Sequence, residues 1–227
     1  MTDSHKDRIS IQVGLSGYSF KVETDGTSRS SGWMSADRVF TSAEFQKRYD
    51  DVRISVFTPK CALIPKQFHD PSRSREMLAD VADLEDTDLV EYVEVPHFAS
   101  VLLYSNNIGE SLSKVLADMV LRPDGTGTRP MPELYAMLTA LEDIKDYNKV
   151  LASYMDGHLY LTVAQGRTLL LCNSFPAKDF TTAEYFIFLV MKRLQINIEM
   201  SSIYFRTSLS EEEELSLYRY FKGVEQI

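Results

Sequence analysis

Basic residues are in the minority, cysteine is almost absent, and no apolar run is long; each shortage removes a class of protein. Lys and Arg total 24 against 33 Asp and Glu, a formal net charge of -9. A phosphate-binding surface has to be built against that field, so nucleic acid is not an expected partner. The longest apolar-rich stretch, Tyr185 to Met191, runs straight into Lys192 and Arg193, far short of the ~20 residues of a spanning helix, so no membrane partner is expected either. Met1 to Arg8 reads MTDSHKDR, without the basic and then apolar segments of a secretory leader, and the expectation is a cytoplasmic protein. Cys61 and Cys172 each sit among strand-forming apolar residues, the usual setting of reduced thiols acting as small hydrophobes, so a disulfide is not expected.

Motifs that carry chemistry are equally scarce. His5, His69, His97 and His158 are scattered, with no i, i+4 pair and no cysteine pair beside them, so a zinc site has no support. Gly109 and the glycines of DGTGT fit neither a Gly-Lys-Ser phosphate loop nor a dinucleotide fingerprint. No Gly-x-Ser-x-Gly elbow occurs. The acidic run Ser210 to Glu214 reads as a helix start, because Ser210 and Glu213 have capping-box spacing and the carboxylates suit the helix dipole. These absences point to no catalytic residues, no metal and no cofactor.

What is present is a core and an order. Of the 227 residues 44% are hydrophobic, enough for one large or two small folded units. Ile9, Ile11 and Val13 alternate, then Tyr18, Phe20 and Val22, before the tight-turn dipeptide Asp25-Gly26, the signature of a β-meander. A short helix is expected over Thr41 to Tyr49, a strand over Ile54 to Phe57, a helix over Arg73 to Leu84, two strands between Tyr92 and Tyr104, and a helix over Ser111 to Leu121. Arg122 to Pro130, RPDGTGTRP, is the one Pro/Gly-rich stretch in mid-chain and the candidate linker or flexible loop. After a helix carrying Leu134, Leu138 and Leu141, the opening order returns: strands over Val150 to Met155, His158 to Val163 and Arg167 to Phe175, a helix over Thr181 to Gln195, a strand over Ser202 to Arg206 and a closing helix over Glu211 to Phe221. The fold class is therefore α/β, two related lobes each β-β-β-α-β-α, with residues 1–130 as the first lobe and 131–227 as the second.

The halves also share a register. Gly17 and Gly157, Gly26 and Gly166, Phe40 and Phe180 are each 140 residues apart, and FTSAEF at Phe40 aligns with FTTAEY at Phe180. Thr41 and Thr181 are expected to cap helices, with Glu44 and Glu184 as capping-box partners and Phe40–Phe45 and Phe180–Tyr185 as staples. Two halves could reach this hexapeptide independently, but the shared spacing of the glycines favours duplication.

A duplicated meander followed by α-β-α resembles the two-lobed architecture of actin, sugar kinases and related ATPases. Ala62-Leu63-Ile64-Pro65-Lys66-Gln67-Phe68, Asn173-Ser174-Phe175, Asp179-Phe180 and the Glu184 to Leu194 segment resemble an uncharacterised bacterial family of unknown function with an actin-like ATPase fold of the ribonuclease H-like kind. The resemblance covers nearly the whole chain and implies a cleft between lobes, but no activity. Active actin-like ATPases carry Asp-x-Gly in each phosphate-binding hairpin. Here Leu15 stands two before Gly17, Met155 stands two before Gly157, and Asp156 is one residue out of register. Ile9 to Leu15 also lacks the carboxylate that nucleases of ribonuclease H type need on the first strand. The leading expectation is a non-hydrolysing binding or scaffold protein with a ligand cleft at Ser16, Gly17, Asp156 and Gly157. Its partner is an unidentified small polar ligand or a protein. Two alternatives stay open: an ATPase or small-molecule kinase using Asp124, Asp156 or Asp179, and a protein-interaction module without a pocket ligand.

Overall fold

The computed structural model describes residues 7–107 and 110–227, the side chains of residues 110 and 111 aside. His5 and Gly109 lie outside the described residues. The strands are β1 (Arg8–Val13), β2 (Gly17–Thr24), β3 (Thr27–Ser30), β4 (Met34–Ser35), β5 (Asp51–Val56), β6 (Cys61–Pro65), β7 (Val90–Val95), β8 (Ser100–Ser105), β9 (Met131–Pro132), β10 (Asn148–Met155), β11 (His158–Gln165), β12 (Thr168–Pro176), β13 (Ser202–Phe205) and β14 (Gly223–Gln226). The α-helices are α1 (Ser74–Ala79), α2 (Glu110–Met119), α3 (Glu133–Ala140), α4 (Phe180–Arg193) and α5 (Glu211–Tyr218). They build two compact units, Met1–Phe57 with Asn106–Glu133, and Thr58–Ser105 with Leu134–Ile227.

The first unit holds a sheet in the order β3-β2-β1-β5-β9, with β4 also pairing β2; the second holds one in the order β12-β11-β10-β13-β14. In both, an antiparallel meander supplies three strands and parallel strands extend the sheet beyond the first of them. The meander and the parallel strands beside it thus recur in the same order in each unit. The second unit also contains a three-stranded antiparallel sheet, β6-β8-β7, which the sequence showed only as two strand segments.

The shared glycine register is one residue away from the shared topology. In the first unit the opening hairpin closes between Val13 and Tyr18 and the next between Thr24 and Thr27. In the second unit the closures are Met155 with His158 and Gln165 with Thr168. Gly17 thus lies at the strand end while Gly157 lies in the turn, and Gly26 is second in its turn while Gly166 is first. Equivalent turns sit one residue further apart than the glycines do. The alignment also ends after the meander: residues 191–196 close a helix, whereas β5 pairs in a sheet, its topological counterpart being β13.

The core of the first unit gathers Ile9, Ile11 and Val13 of β1, Val52, Ile54 and Val56 of β5, and Leu116 and Val120 from the α2 region. Phe45 fills the centre, its ring 5.5 Å from Tyr18 and 5.3 Å from Phe20. The helix expected over Thr41 to Tyr49 is instead two short 3-10 turns, Ala36–Thr41 and Ala43–Gln46. The backbone is extended at Ser42, φ -76 and ψ 112, which separates the two turns; Thr41 Oγ1 donates to the Arg38 carbonyl at 2.9 Å and Ser42 Oγ to the same oxygen at 3.4 Å, in competition with backbone donors. Tyr49 Oη takes the Glu44 carbonyl at 3.0 Å, and the Glu44 carboxylate pairs with Arg29. Thr41 caps nothing, and Phe40 is exposed.

In the second unit α4 buries Ala183, Ile187, Val190 and Met191 on the sheet. Its flanks are covered too, by Phe186 stacked on Phe175 at 4.9 Å and Phe188 against Tyr220 at 4.8 Å, which explains its apolar circumference. The cap of α4 is Asp179, not Thr181: Asp179 Oδ1 accepts from Thr182 N at 2.8 Å and Thr182 Oγ1 at 2.6 Å, and these bonds lower the Asp179 pKa. With Asp179 as the cap, the capping-box position falls on Thr182 rather than Glu184, and Glu184 Oε1 is buried without a hydrogen-bond partner among the described residues. Asp179→Ala is expected to lower the melting temperature by about 2–4 °C through loss of the cap, with Thr181→Ala at the parent value. Identical melting curves for Asp179→Ala and parent would remove the cap assignment. The capping box of α5 is present as its sequence indicates, with Ser210 N donating to Glu213 Oε2 at 2.7 Å and Glu213 N to Ser210 Oγ at 3.3 Å.

Residues 122–130 are tied down. Arg122 donates to the Gly127 carbonyl at 2.5 Å and to Thr128 Oγ1 at 3.2 Å, while Asp124 Oδ1 accepts from Thr126 N and Oγ1 at 2.9 and 2.7 Å. The Gly/Pro-rich stretch forms a hydrogen-bonded loop within the first unit.

Candidate functional site

In the first unit β1, β5 and β9 are parallel, so their carboxyl ends at Val13, Val56 and Pro132 lie on one edge of the sheet, the edge where open α/β sheets bind ligands. A buried polar set collects there. Alternation along β1 sends Ile11 and Val13 into the core and Gln12 to the opposite face. Gln12 is nevertheless buried, because Glu133 covers it: Gln12 Nε2 donates to Glu133 Oε1 at 2.9 Å. Ser19 Oγ, on β2, donates to Gln12 Oε1 at 3.4 Å, which orients the amide. Ser55 on β5 is also buried and donates to the Ile11 carbonyl at 3.5 Å. Glu133 is the first residue of α3, a position where a carboxylate faces the positive end of the helix dipole.

The β1–β2 hairpin borders this edge. Gly14 N donates to the Gly17 carbonyl at 2.9 Å. Leu15 and Ser16 project from the turn, Leu15 with 67% of its surface exposed. Gly17 is buried for a steric reason: a Cβ there would lie 2.0 Å from the Met34 carbonyl oxygen of β4. Ser16, also exposed, presents its hydroxyl on this turn.

The corresponding hairpin of the second unit is a two-residue turn in which Asp156 and Gly157 both have left-handed backbone, φ 50 and 71, as Asp-Gly turns favour. The Gly157 carbonyl accepts from Ala177 N at 2.7 Å, and the Asp156 carbonyl lies 3.0 Å from His158 Nδ1. Tyr154 N donates to Thr207 Oγ1 at 3.0 Å, and Tyr154 Oη to the Ala177 carbonyl at 3.2 Å.

The remaining acids weighed from sequence have local work. Asp124 shapes its loop and Asp179 caps α4. The described histidines are separate: His69 is 3.1 Å from Ser74 Oγ, His97 pairs with Glu142 at 2.6 Å, and His158 faces a carbonyl. Among the described residues no three His, Cys, Asp or Glu side chains group as metal ligands, and no helix is long and apolar enough to cross a membrane. Gln12 and Glu133 escaped the sequence reading. They are 121 residues apart, and strand alternation assigns Gln12 to the solvent side.

Comparison with known proteins agrees with this architecture. A Bacteroides thetaiotaomicron VPI-5482 protein with actin-like ATPase fold and unknown function is similar, at TM-score 0.68 and 18% identity, over 100% of this chain and 94% of that one. A chain of a PilM–PilN type IV pilus biogenesis complex is similar at TM-score 0.50 and 10% identity, over 97% of this chain and 88% of that one. No curated protein matches the sequence. At these identities the likeness establishes the fold: an actin-like ATPase fold with two related α/β halves. The model of a family described as protein of unknown function (DUF3822) matches residues 1–224, and the chain belongs to that family.

Proposed function

We propose that the protein is a non-hydrolysing binding or scaffold protein that holds a small polar ligand at the carboxyl edge of the first unit's sheet, beside Ser16. The observation that carries this reading is the Gln12–Glu133 pair, 2.9 Å apart and buried among parallel strand ends. A buried, mutually bonded polar pair is costly to keep in a core, and it makes this end of the sheet polar, in keeping with a polar ligand at the adjoining exposed turn. The chemistry of the adjoining turn supports binding without hydrolysis. Phosphoryl transfer needs a metal-holding carboxylate aimed at the phosphates, and the turn presents the hydrocarbon side chain of Leu15.

A thermal shift series with ATP, ADP and polar metabolites, with and without magnesium, tests the proposal. A ligand at a hundredfold over its Kd adds about 2.7 kcal/mol of stability, and phosphate release with magnesium and ATP is expected to stay at the buffer rate. Magnesium-dependent turnover that disappears in Asp156→Ala would establish the ATPase alternative. Absence of any shift, together with capture of one protein partner, would establish the interaction-module alternative.

A further inference from the structure

Within the second unit, β12 contacts β6, and Ser174 Oγ donates to the Pro59 carbonyl at 2.8 Å. Strand alternation puts Cys172 on the same face of β12 as Ser174. Cys61 follows Pro59 by two residues, in a turn where Cys61 N donates to the Pro59 carbonyl at 3.0 Å. The Cys61 thiol is held there, 3.2 Å from the Thr58 carbonyl. Both cysteines are free and half-buried. The face of β12 that carries Ser174 and Cys172 thus meets the turn that holds Cys61.

We propose that Cys61 and Cys172 form an oxidation site, a dithiol that a peroxide converts into one intramolecular disulfide joining residues 58–105 to β12. The chemistry balances in two steps. One thiolate attacks hydrogen peroxide, its sulfur taking one oxygen to become a sulfenic acid while hydroxide leaves and is protonated to water. The second thiolate then attacks that sulfur, the S–S bond forms, and the sulfenic oxygen departs as a second water. Two thiols are oxidised and one peroxide is reduced.

The surroundings set the rate. Burial pushes the Cys172 thiol up to about 12; burial, and then the neighbouring Cys172, push Cys61 well above its ordinary range. The attacking species is the thiolate, so the pair is slow at neutral pH and accelerates as pH rises, by up to about tenfold per unit below the thiol pKa. The site therefore records sustained oxidation rather than a brief pulse.

The experiment uses the full native chain, dilute, with hydrogen peroxide at pH 7.0 and pH 8.5 (about 1.5 units apart), alkylation of residual thiols, and tryptic mapping without reductant. The expected product joins the peptide Cys61–Lys66 to Thr168–Lys178. Both thiols disappear together, faster at the higher pH, and dithiothreitol restores them. Independent oxidation of each cysteine to sulfinic acid, disulfides between chains, or thiols that persist while the guanidinium-unfolded chain is oxidised would each overturn the proposal.

Discussion

Gly17→Ala is expected to destabilise the protein by about 3 kcal/mol or more, or to leave it insoluble. The added Cβ would stand 2.0 Å from the Met34 carbonyl oxygen and 3.0 Å from its carbon, and both are backbone atoms that no rotamer change can move. Relief requires β4 to withdraw from β2, which breaks the pairing of Gly17 with Ser35 and Tyr18 with Met34. Tyr18 is fully buried, bonded to Ser42 at 3.1 Å and packed on Phe45, so the disturbance reaches the core. Gly157→Ala is the control. That residue is left-handed at φ 71, and the nearest atom to its Cβ is the Ala177 carbonyl oxygen at 3.8 Å, so the cost is conformational, about 1–2 kcal/mol. Urea midpoints measured for both variants separate the two causes; equal shifts would mean that the approach of β4 does not constrain Gly17.

The difference between these glycines marks how far the sequence could be read. Asp25-Gly26 and Asp156-Gly157 announce two-residue turns because both positions of each turn are left-handed, a local requirement that composition reveals. Gly17 looks the same on paper but answers to a carbonyl brought in by β4. The meanders, α2 and α4 were legible because one apolar face repeats within a short window, and α5 because its capping box is local. The 3-10 turns at residues 36–46 were not, because the capping-type hexapeptide does not announce the extended backbone at Ser42 that divides them. β14 is four residues long with only Val224 buried, too brief for a period to show. For the candidate site, alternation along β1 predicts a wetted position for Gln12. The structure covers it with Glu133, from the far end of the unit's sequence, and no local pattern announces such a meeting.

Asp88→Ala is the second large loss expected, about 3 kcal/mol or more, and it has a pH signature. Asp88 is 6% exposed, and its carboxylate ties together the starts and ends of three strands. Lys60 Nζ, just before β6, donates to Oδ2 at 2.7 Å; Ser105 Oγ, the last residue of β8, donates to Oδ1 at 2.6 Å; Glu85 N, ahead of β7, donates to Oδ2 at 2.6 Å. Arg75 adds bonds to the carbonyls of Asp88 and Glu85, at 2.6 and 2.7 Å. Removing the carboxylate leaves a half-buried ammonium and a buried hydroxyl unsatisfied, which costs more than the original ion pair is worth. Lys60 first and Ser105 second hold the Asp88 carboxyl down, from an ordinary 3.8 to about 2. Because the folded value is depressed, the stabilisation is fully present above the unfolded value and fades as pH falls from about 4 toward about 2. Asp88→Asn keeps the shape and removes the titration. The gap in unfolding free energy between parent and Asp88→Asn should therefore be constant from pH 7 to about pH 5 and narrow below about pH 4. Denaturant titrations at stepped pH measure it, and a gap that stays constant down to about pH 3 would show that the carboxylate is not held by these bonds.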